Sequence, residues 1–223
     1  STVTPTRSGY TFDGWYIDGQ KVTSVSAEAT VTAHWKANSE TEYTVIHWQE
    51  NADDNEYSSK DIEKKIGATN STTNAKAKSY SGFTAQAITQ KTIAGDGSTI
   101  VNVYYKRNVY DVKFYSYSGW FFSSEEYTSL RITAKYGANI SDKWPTYDGS
   151  STWYTSDGGS TYQVNIVTMP LNGAKFYGPK TGYGSETAYY YVEVLPGESG
   201  TTTYKGVQYK LHHSDTSSGT SYV

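Results

Sequence analysis

The stretch GYTFDGWYIDG, residues 9–19, places aromatic residues between glycines, and GSSTWYTSDGG, residues 149–159, repeats the pattern later in the chain. Each stretch carries a Trp-Tyr pair followed by an Asp-Gly turn sequence. A segment with alternating side chains follows each pair after about twenty residues, at residues 30–35 and 173–178. Because a recurring order of this kind indicates a repeated structural unit, we interpret the two regions as copies of one half-module.

The composition favours β-structure with small aromatic cores. The chain of 223 residues contains 23 tyrosines and one methionine, so aromatic rings must supply much of its buried surface. Tyr, Thr and Val suit the pleated surface of a sheet, while Gly, Asn, Asp and Ser supply turns. We therefore expect a mainly β protein with at most short helices, in which Trp15 and Trp153 fill small cores.

Charge and hydropathy exclude several classes of function. A net charge of −3 argues against nucleic acid as a partner, because contact with phosphates needs clustered Lys and Arg. No apolar stretch approaches the length of a membrane span, so we predict no membrane insertion. The chain has no cysteine, which removes disulfides and thiol chemistry. Its polar ends suggest a monomeric fragment cut from a longer chain.

The repeated region resembles a known family. GYTFDGWYIDGQKV and ATVTAHWKA, within residues 1–37, resemble the Listeria-Bacteroides repeat, also called the internalin B-repeat, which occurs in strings on cell-wall-attached proteins. Residues 109–223 resemble a diverged, more elaborate copy with an extra hairpin at its end, in which residues 110–115 form the first strand. Residues 1–37 lack that strand, so they are expected to be a partial repeat with one open edge. The resemblance implies small β-grasp-like modules.

Residues 42–108 resemble the mucin-binding-protein type of repeat through EYTVIHWQEN and YSGFTAQAITQKTIAGDGSTIVNVYYKRN. Residues 41–48 and 99–107 alternate as strands, and AGDGS at 94–98 is a turn sequence, so we predict a hairpin. SSKDIEKKIGA, residues 58–68, is the only tract dense in helix formers, and it predicts one or two helical turns.

The connections between the three modules are short. KANSE at 36–40 and KRN at 106–108 leave few residues between the modules, which predicts an elongated string with limited bending. Beyond residue 178, ETAYYYVEVL and VQYKLHH predict a further long hairpin.

KLHHSD, residues 210–215, contains the residue types of a hydrolytic triad. Neighbouring residues on a strand point to opposite faces, so its two histidines, Ser214 and Asp215 cannot form a relay among themselves. We interpret them as polar residues at a strand end. His34 and His47 each stand beside a tryptophan in an alternating strand and are expected at the surface or at a strand edge.

Other polar clusters lack the spacing of a known site. NADDNEY, residues 51–57, supplies oxygen ligands of the kind that calcium binds, but it lacks the spacing of a calcium-binding loop. An isopeptide cross-link of Lys113 to Asn172, promoted by Asp111, would use residue types that are common on any surface. No spacing indicates that any two of the other carboxylates share a catalytic cleft, the candidates being Glu125, Glu126, Asp142 and Asp148. We predict no enzymatic activity, no metal and no cofactor, with calcium and the cross-link as minor alternatives.

The segment YSYSGWFFSSEEY, residues 115–127, concentrates large aromatic residues where the family has a short polar turn. One explanation is a lid that folds back over the core. The other is an exposed binding patch, because Trp and Tyr dominate interface hot spots and stack on sugars. On this reading the ligand-binding residues are Tyr117, Trp120, Phe121, Phe122, Tyr127, Trp144 and Tyr147.

We therefore expect an extracellular, cell-wall-attached or secreted adhesin segment of a Gram-positive bacterium that binds a host protein or glycan. The first two modules would act as spacers, and the third would contact the ligand without forming a covalent bond. The alternatives are a carbohydrate-binding module of a secreted polysaccharide-handling protein, a module that captures host immunoglobulin or another host protein, and a structural stalk without a ligand.

Overall fold

The computed structural model describes residues 3–118, 123–147, 150–180, 182–195, 198–200 and 202–221, with the backbone alone for 182–188 and 215–221. Strands account for 47% of the chain, and no helix in the described ranges reaches seven residues. The expectation of a mainly β protein with only short helices is therefore confirmed, and the strands form several small sheets.

The described strands, in chain order, are β1 (Tyr10–Ile17), β2 (Gln20–Val22), β3 (Thr32–Ala37), β4 (Thr41–Glu50), β5 (Tyr57–Gly67), β6 (Phe83–Ala85), β7 (Ile100–Arg107), β8 (Val109–Tyr115), β9 (Ile132–Lys135), β10 (Trp153–Tyr154), β11 (Tyr162–Gln163), β12 (Ala174–Tyr177), β13 (Gly182–Glu193), β14 (Thr202–Tyr204) and β15 (Val207–Ser221). Two short 3-10 helices occupy Thr128–Leu130 and Ser141–Lys143.

Within the described residues the strands form four sheets, with orders β2-β1-β3, β5-β4-β7-β6, β11-β10-β12-β8-β9 and β13-β15-β14. β4 pairs with β7 in parallel, and β12 pairs with β8 in parallel. β13 and β15 pair antiparallel over their length, so the long hairpin expected after residue 178 is present.

The chain divides into two compact units. Unit 1 comprises residues 1–111, 132–143 and 166–173. Unit 2 comprises residues 112–131, 144–165 and 174–223.

The Asp-Gly sequence of the opening stretch makes a tight hairpin turn. Asp18 and Gly19, between β1 and β2, have φ values of 46° and 78°. A two-residue loop with positive φ at both positions is the turn whose twist matches paired strands, and Asp-Gly is among its preferred sequences. Lys205 and Gly206 form the same kind of connection between β14 and β15, with φ values of 48° and 82°.

The predicted hairpin across residues 94–98 is wrong, although the turn itself is present. Gly97 N–H donates a 3.1 Å hydrogen bond to the Ala94 carbonyl. β4 and β7 run parallel, with Val45 opposite Val101, and the antiparallel neighbour of β4 is β5. Alternation shows which residues of a strand are buried, but it does not select the strand's partner.

The helical turns predicted for residues 58–68 are also wrong, because residues 58–67 lie in β5. β5 forms an antiparallel ladder with β4 from Tyr57 opposite Glu50 to Gly67 opposite Thr41, with one register shift between His47 and Trp48. Helix propensity in a short tract is worth only tenths of a kcal/mol per residue, so pairing with a neighbouring strand overrides it.

The core of unit 1 lies on one face of the β5-β4-β7-β6 sheet. Buried side chains from β4 and β7 meet two side chains from the following loops. The core cluster consists of Tyr43, Val45, Ala75, Ile93, Val101, Val103 and Tyr105. Strict alternation along β4 and β7 brings these side chains to a single face.

The core of unit 2 is centred on Trp153. Its side chain is 0% exposed, and its ring centroid lies 4.7 Å from that of Phe114 on β8. The indole N–H donates a 3.0 Å hydrogen bond to the Pro145 carbonyl. The sequence placed Trp153 in a core correctly, whereas Trp15 in the first copy is only partly buried and lies 5.4 Å from Phe12.

Candidate functional site

The structure describes four of the seven ligand-binding residues predicted from the sequence. Trp120, Phe121 and Phe122 lie outside the described residues. Trp144 is partly buried, and its ring lies 5.2 Å from Phe114 and 5.0 Å from Phe176. Its indole N–H donates a 2.7 Å hydrogen bond to the Ser151 carbonyl. Trp144 therefore forms part of the wall of the unit 2 core.

Tyr127 and Tyr147 lie against the same core. Their rings are 5.4 Å apart, and they stand 6.2 Å and 5.8 Å from Trp153. Tyr117 is partly buried against Gly158, where an added Cβ would come within 3.0 Å of its ring. The four described residues thus contribute to packing in unit 2, and their ligand-binding role stays a prediction.

A second aromatic group, which sequence reasoning missed, lies on the face of the β5-β4-β7-β6 sheet opposite the core. We call Trp48, Tyr57 and Tyr104 the aromatic platform. Trp48 and Tyr104 occupy opposite positions on β4 and β7, with ring centroids 6.3 Å apart and planes inclined by 20°. Tyr57 meets Tyr104 edge to face at 5.1 Å. Tyr104 is 39% exposed.

A register shift in the β4–β5 ladder brings Tyr57 to this face. Asp61 lies opposite the buried His47, whereas Ser59 lies opposite Trp48, so one extra residue on β5 is accommodated between these pairs. Such a bulge reverses the facing of every residue beyond it. Tyr57 therefore points away from the core and joins the other two rings.

Polar, uncharged side chains border the platform. The Trp48 indole N–H donates a 2.9 Å hydrogen bond to Asn102, and the Gln86 amide donates a 2.9 Å hydrogen bond to the Tyr57 hydroxyl. Flat exposed rings beside amide groups offer a ligand both a stacking surface and hydrogen-bond partners. The sequence carried a signal for this group. Trp48 and Tyr104 each follow or precede a core residue in an alternating strand, so their side chains are expected on the outer face.

The same outer face also carries exposed apolar side chains, which alternate with polar and charged residues such as Lys64 and Glu42. Ile62 and Ile66 on β5 are 63% and 65% exposed, and Ile100 on β7 is 43% exposed. Ile46 on β4 lies between Ile62 and Asn102 and is partly buried. Exposed apolar side chains grouped on one face mark a candidate contact surface.

His47, expected at the surface or an edge, is fully buried, so that expectation is wrong. Its Nδ1 and the Tyr105 hydroxyl are joined by a 2.7 Å hydrogen bond, and its Nε2 lies 3.7 Å from a Glu63 carboxylate oxygen. Nε2 has no hydrogen-bond partner within the part of the chain that the structure describes. Burial lowers the pKa of His47, although the Glu63 charge opposes that effect.

Charged residues of β5 and the following loop surround this histidine. Lys78 lies 2.7 Å from Glu63 and 3.4 Å from Asp61, and the Tyr80 hydroxyl donates a hydrogen bond to Asp61. The hydrogen bond from Lys78 is the main reason why the pKa of Glu63 is lowered. The hydrogen bond from Tyr80 is the main reason why the pKa of Asp61 is lowered. These contacts make the cluster an ion-pair network at the border of the core.

The acidic turn at residues 51–57, considered for calcium, binds protein groups. Asp53 accepts a 3.0 Å hydrogen bond from Asn139 N–H, and Asp54 accepts a 2.7 Å hydrogen bond from Glu56 N–H. In the described ranges, no group of three or more His, Cys, Asp or Glu residues has the arrangement of a metal site.

The other polar candidates have separate neighbours. Lys113 faces Glu126 at 3.8 Å, and Asp111 accepts a 2.6 Å hydrogen bond from Thr133. In the 210–215 segment, His213 stacks on Tyr190 with ring centroids 5.7 Å apart.

Comparison with known proteins does not assign the chain to a family. No protein-family model matches the sequence, and no curated protein matches it significantly. Among the described residues, no helix has the length and apolar character needed to cross a bilayer.

Proposed function

We propose that this chain is an adhesive segment of an extracellular bacterial surface protein, and that its aromatic platform binds glycans. The resemblance of residues 9–37 and 42–108 to repeats of cell-wall-attached proteins supports the surface location. The series of small sheets agrees with such repeats. The observation that carries the proposal is the exposed group of Trp48, Tyr57 and Tyr104.

The platform suits a sugar for a chemical reason. One face of a pyranose ring presents C–H groups that pack on a flat aromatic ring, and its hydroxyls need partners around the edge. Tyr104 offers the exposed ring, while Asn102 and Gln86 present amide groups at Trp48 and Tyr57. The chain would then combine two roles considered from the sequence, adhesion and carbohydrate binding, with the contact in residues 42–108.

The test is affinity electrophoresis through gels that contain mucin or soluble polysaccharides. We expect at least one of these glycans to retard the 223-residue chain and Tyr104→Ala to weaken that binding about 30-fold, the effect of losing about 2 kcal/mol at a hot spot. The control is Tyr162→Ala, which removes an exposed tyrosine of β11 in unit 2. Both variants should stay folded, with Tyr104→Ala costing no more than about 1–2 kcal/mol for its two ring contacts.

Retardation that persists unchanged in Tyr104→Ala, or the absence of retardation with every glycan, would contradict the proposal. A protein ligand is the second candidate, and the exposed Ile62 and Ile66 favour it. In that case immunoglobulin G or another host protein would bind the parent chain, the double variant Ile62→Ser, Ile66→Ser would lose binding, and added glycans would not compete.

A further inference from the structure

β5 is an edge strand, and one of its two sides pairs with no strand in the part of the chain that the structure describes. The sheet order β5-β4-β7-β6 places β5 at one edge and β6 at the other. β5 has 11 residues, whereas β6 has three. Ile62 and Ile66 are 63% and 65% exposed, and the side chain of Lys64 is 60% exposed. The middle of β5 is therefore accessible to another strand.

The register of the sheet shows which backbone groups of β5 point to the free edge. Thr44 N–H donates a 2.9 Å hydrogen bond to the Thr99 carbonyl, so the backbone of Thr44 faces the start of β7. Neighbouring residues of a strand point to opposite sides, so Val45 faces β5 and bonds with Glu63, its partner in the ladder. The residues that alternate with Glu63 point their N–H and C=O groups to the free edge, and they are Ile62, Lys64 and Ile66.

The order of charges on β5 makes the strand complementary to a reversed copy of itself. Charged side chains on an edge strand usually oppose pairing with another strand. On the core side of β5, however, Glu63 and Lys65 have opposite charges and stand two residues apart. When two copies run antiparallel with Lys64 opposite Lys64, Glu63 of each copy faces Lys65 of the other. Ile62 faces Ile66 in the same way on the outer face.

The charges favour this register over its neighbours. The faces of the two strands also match when the pair is centred on Glu63 or on Lys65. Those registers set two glutamates or two lysines directly opposite each other on the core side, which destabilises a sheet. The register centred on Lys64 does oppose two lysines, but these side chains are exposed, and each ammonium group lies 2.7 Å from Glu42 of its own copy.

The inner border of β5 has no excess of one charge that would repel a second copy. Asp61 and Glu63 supply two negative charges there, and Lys65 and Lys78 supply two positive ones. Within one chain, Lys65 lies 3.4 Å from Glu63. A second copy adds an opposite charge to each of these two side chains.

We propose that two copies of this chain form a dimer through the free edges of β5, with a two-fold axis at Lys64 perpendicular to the sheet. Ile62 of one copy and Ile66 of the other exchange both backbone hydrogen bonds, and so do the two Lys64 residues. The reciprocal Glu63–Lys65 pairs lie between these positions, where opposed side chains approach most closely. This dimer replaces the monomer expected from the sequence.

The two-fold axis keeps both outer faces on the same side of the joined sheet. Each copy then presents Trp48 and Tyr104 in the same direction. The dimer itself does not depend on the proposed function, but if the platforms bind glycans, one glycan-coated surface contacts both at once and is held more tightly.

The first test is sedimentation velocity of the 223-residue chain between about 10 and 500 µM, because small interfaces are weak. We expect the weight-average mass to rise from 24.7 kDa toward twice that value. Amide hydrogen exchange at Ile62, Lys64 and Ile66 should slow by about threefold or more at the highest concentration, since these N–H groups become bonded. The N–H groups of Glu63 and Lys65 are already bonded to β4 and should change less.

Nuclear Overhauser effects between isotope-labelled and unlabelled chains identify the register. The α-proton of Glu63 should contact the α-proton of Lys65 in the other copy, because residues opposed in this way have Cα atoms about 4.5 Å apart. A contact between two Glu63 residues would indicate the register centred on Glu63.

Variants of Lys64 and Lys65 separate edge pairing from other association. Lys64→Pro removes an N–H that points to the free edge, where a sheet tolerates proline, and it should abolish the dimer. Lys64→Thr keeps the N–H and removes the like charge, so it should tighten the dimer by about 2–5-fold. Lys65→Glu sets two glutamates opposite each other and should weaken the dimer by about tenfold or more. If Lys64→Pro unfolds unit 1, the Overhauser contacts in the parent chain still decide the question.

Three results would overturn the proposal. The mass could stay at 24.7 kDa up to the highest concentration, or Lys64→Pro could associate as well as the parent chain. The contacts between copies could also join other strands, or β5 in another register. None of these measurements contains a glycan, so their failure leaves the proposed glycan binding to its own test.

Discussion

At the scale of single residues, His47 carries the largest departure from its expected environment. A histidine buried in a neutral form does not destabilise the folded state. Adding a proton to it in the folded state is unfavourable, because the charge would be buried. The polar groups that act on its ring are the Tyr105 hydroxyl, Glu63, Lys78 and Asp61, of which the carboxylates favour the charged imidazolium and Lys78 opposes it. Burial outweighs the carboxylates, so the pKa of His47 is lowered from its ordinary value near 6.5.

We predict that unit 1 loses stability as the pH falls below about 6.5. In that range the unfolded chain binds a proton at His47 while the folded chain does not, so protonation favours unfolding, and the loss continues down to the lowered pKa of the folded state. Asp61 and Glu63 also have lowered pKa values, but their contribution is lost only below about pH 4.5. Urea midpoints between pH 8 and pH 5, read from the amide signals of Val45 and Val103, measure the effect.

The matched variants for this prediction are His47→Gln and His212→Gln. Gln at residue 47 keeps a polar partner for Tyr105 but does not titrate, so the slope between pH 7 and pH 5 should flatten. His212 is exposed, and its replacement should leave the slope as in the parent. An equal slope in the parent and in His47→Gln would contradict the assignment.

At the scale of elements, β5 has an unusual distribution of side chains. Its residues on the core side are charged, including Asp61 and Glu63, while Ile62 and Ile66 point to solvent. The fold tolerates charged residues on this side because β5 is an edge strand and because Lys78 pairs with them there. The apolar residues of β5 therefore do not mark its buried face, because the core covers only part of this edge strand.

We predict that Ile62→Thr changes the free energy of unfolding by less than about 0.5 kcal/mol, because the side chain is exposed and both residues suit a strand. Val101→Thr keeps the shape of the side chain but places a hydroxyl in the core, where it should cost about 1–3 kcal/mol. Urea unfolding of the two variants makes the comparison. A large loss in Ile62→Thr would show that the outer face is covered in solution.

At the scale of the whole molecule, unit 1 joins segments that are far apart in the chain. Lys135 lies 2.9 Å from the Glu50 carboxylate and donates a 2.7 Å hydrogen bond to the Asp54 carbonyl. Arg107 N–H donates to the Glu50 side chain, and the Arg107 guanidinium donates to the Tyr136 carbonyl. Burial raises the pKa of Glu50, but the hydrogen bonds from Lys135 and Arg107 together outweigh it, so the net shift is downward. Residues 132–143 therefore belong to the same compact unit as residues 42–108.

We predict that Lys135→Met destabilises unit 1 by about 1–3 kcal/mol, because it leaves the nearly buried Glu50 carboxylate without its cation. Lys64→Met removes an exposed ion pair with Glu42 and should cost less than about 1 kcal/mol, since solvent screens that pair. Thermal unfolding followed at unit 1 residues checks both values. Equal effects of the two variants would mean that the contact of Lys135 with Glu50 adds no more stability than an exposed ion pair.

The sequence by itself determined the features that depend on neighbouring residues. Tyr, Thr and Val with frequent turn residues determined a mainly β chain, the Asp-Gly pair at residues 18 and 19 determined a tight turn, and the repeated pattern placed Trp153 in a core. These features are local, because alternation and turn geometry are set within a few residues.

Only the tertiary structure decided which strands meet and which side of each is covered. β4 and β7 are parallel neighbours although 49 residues separate Glu50 from Ile100 along the chain, and the helix formers of residues 58–68 became a strand because β4 offered them a ladder. One bulge brought Tyr57 to the platform, and Tyr105 of β7 packs against the buried His47. The physical reason is that backbone hydrogen bonds between strands and burial by distant side chains are non-local, so no short stretch of sequence specifies them.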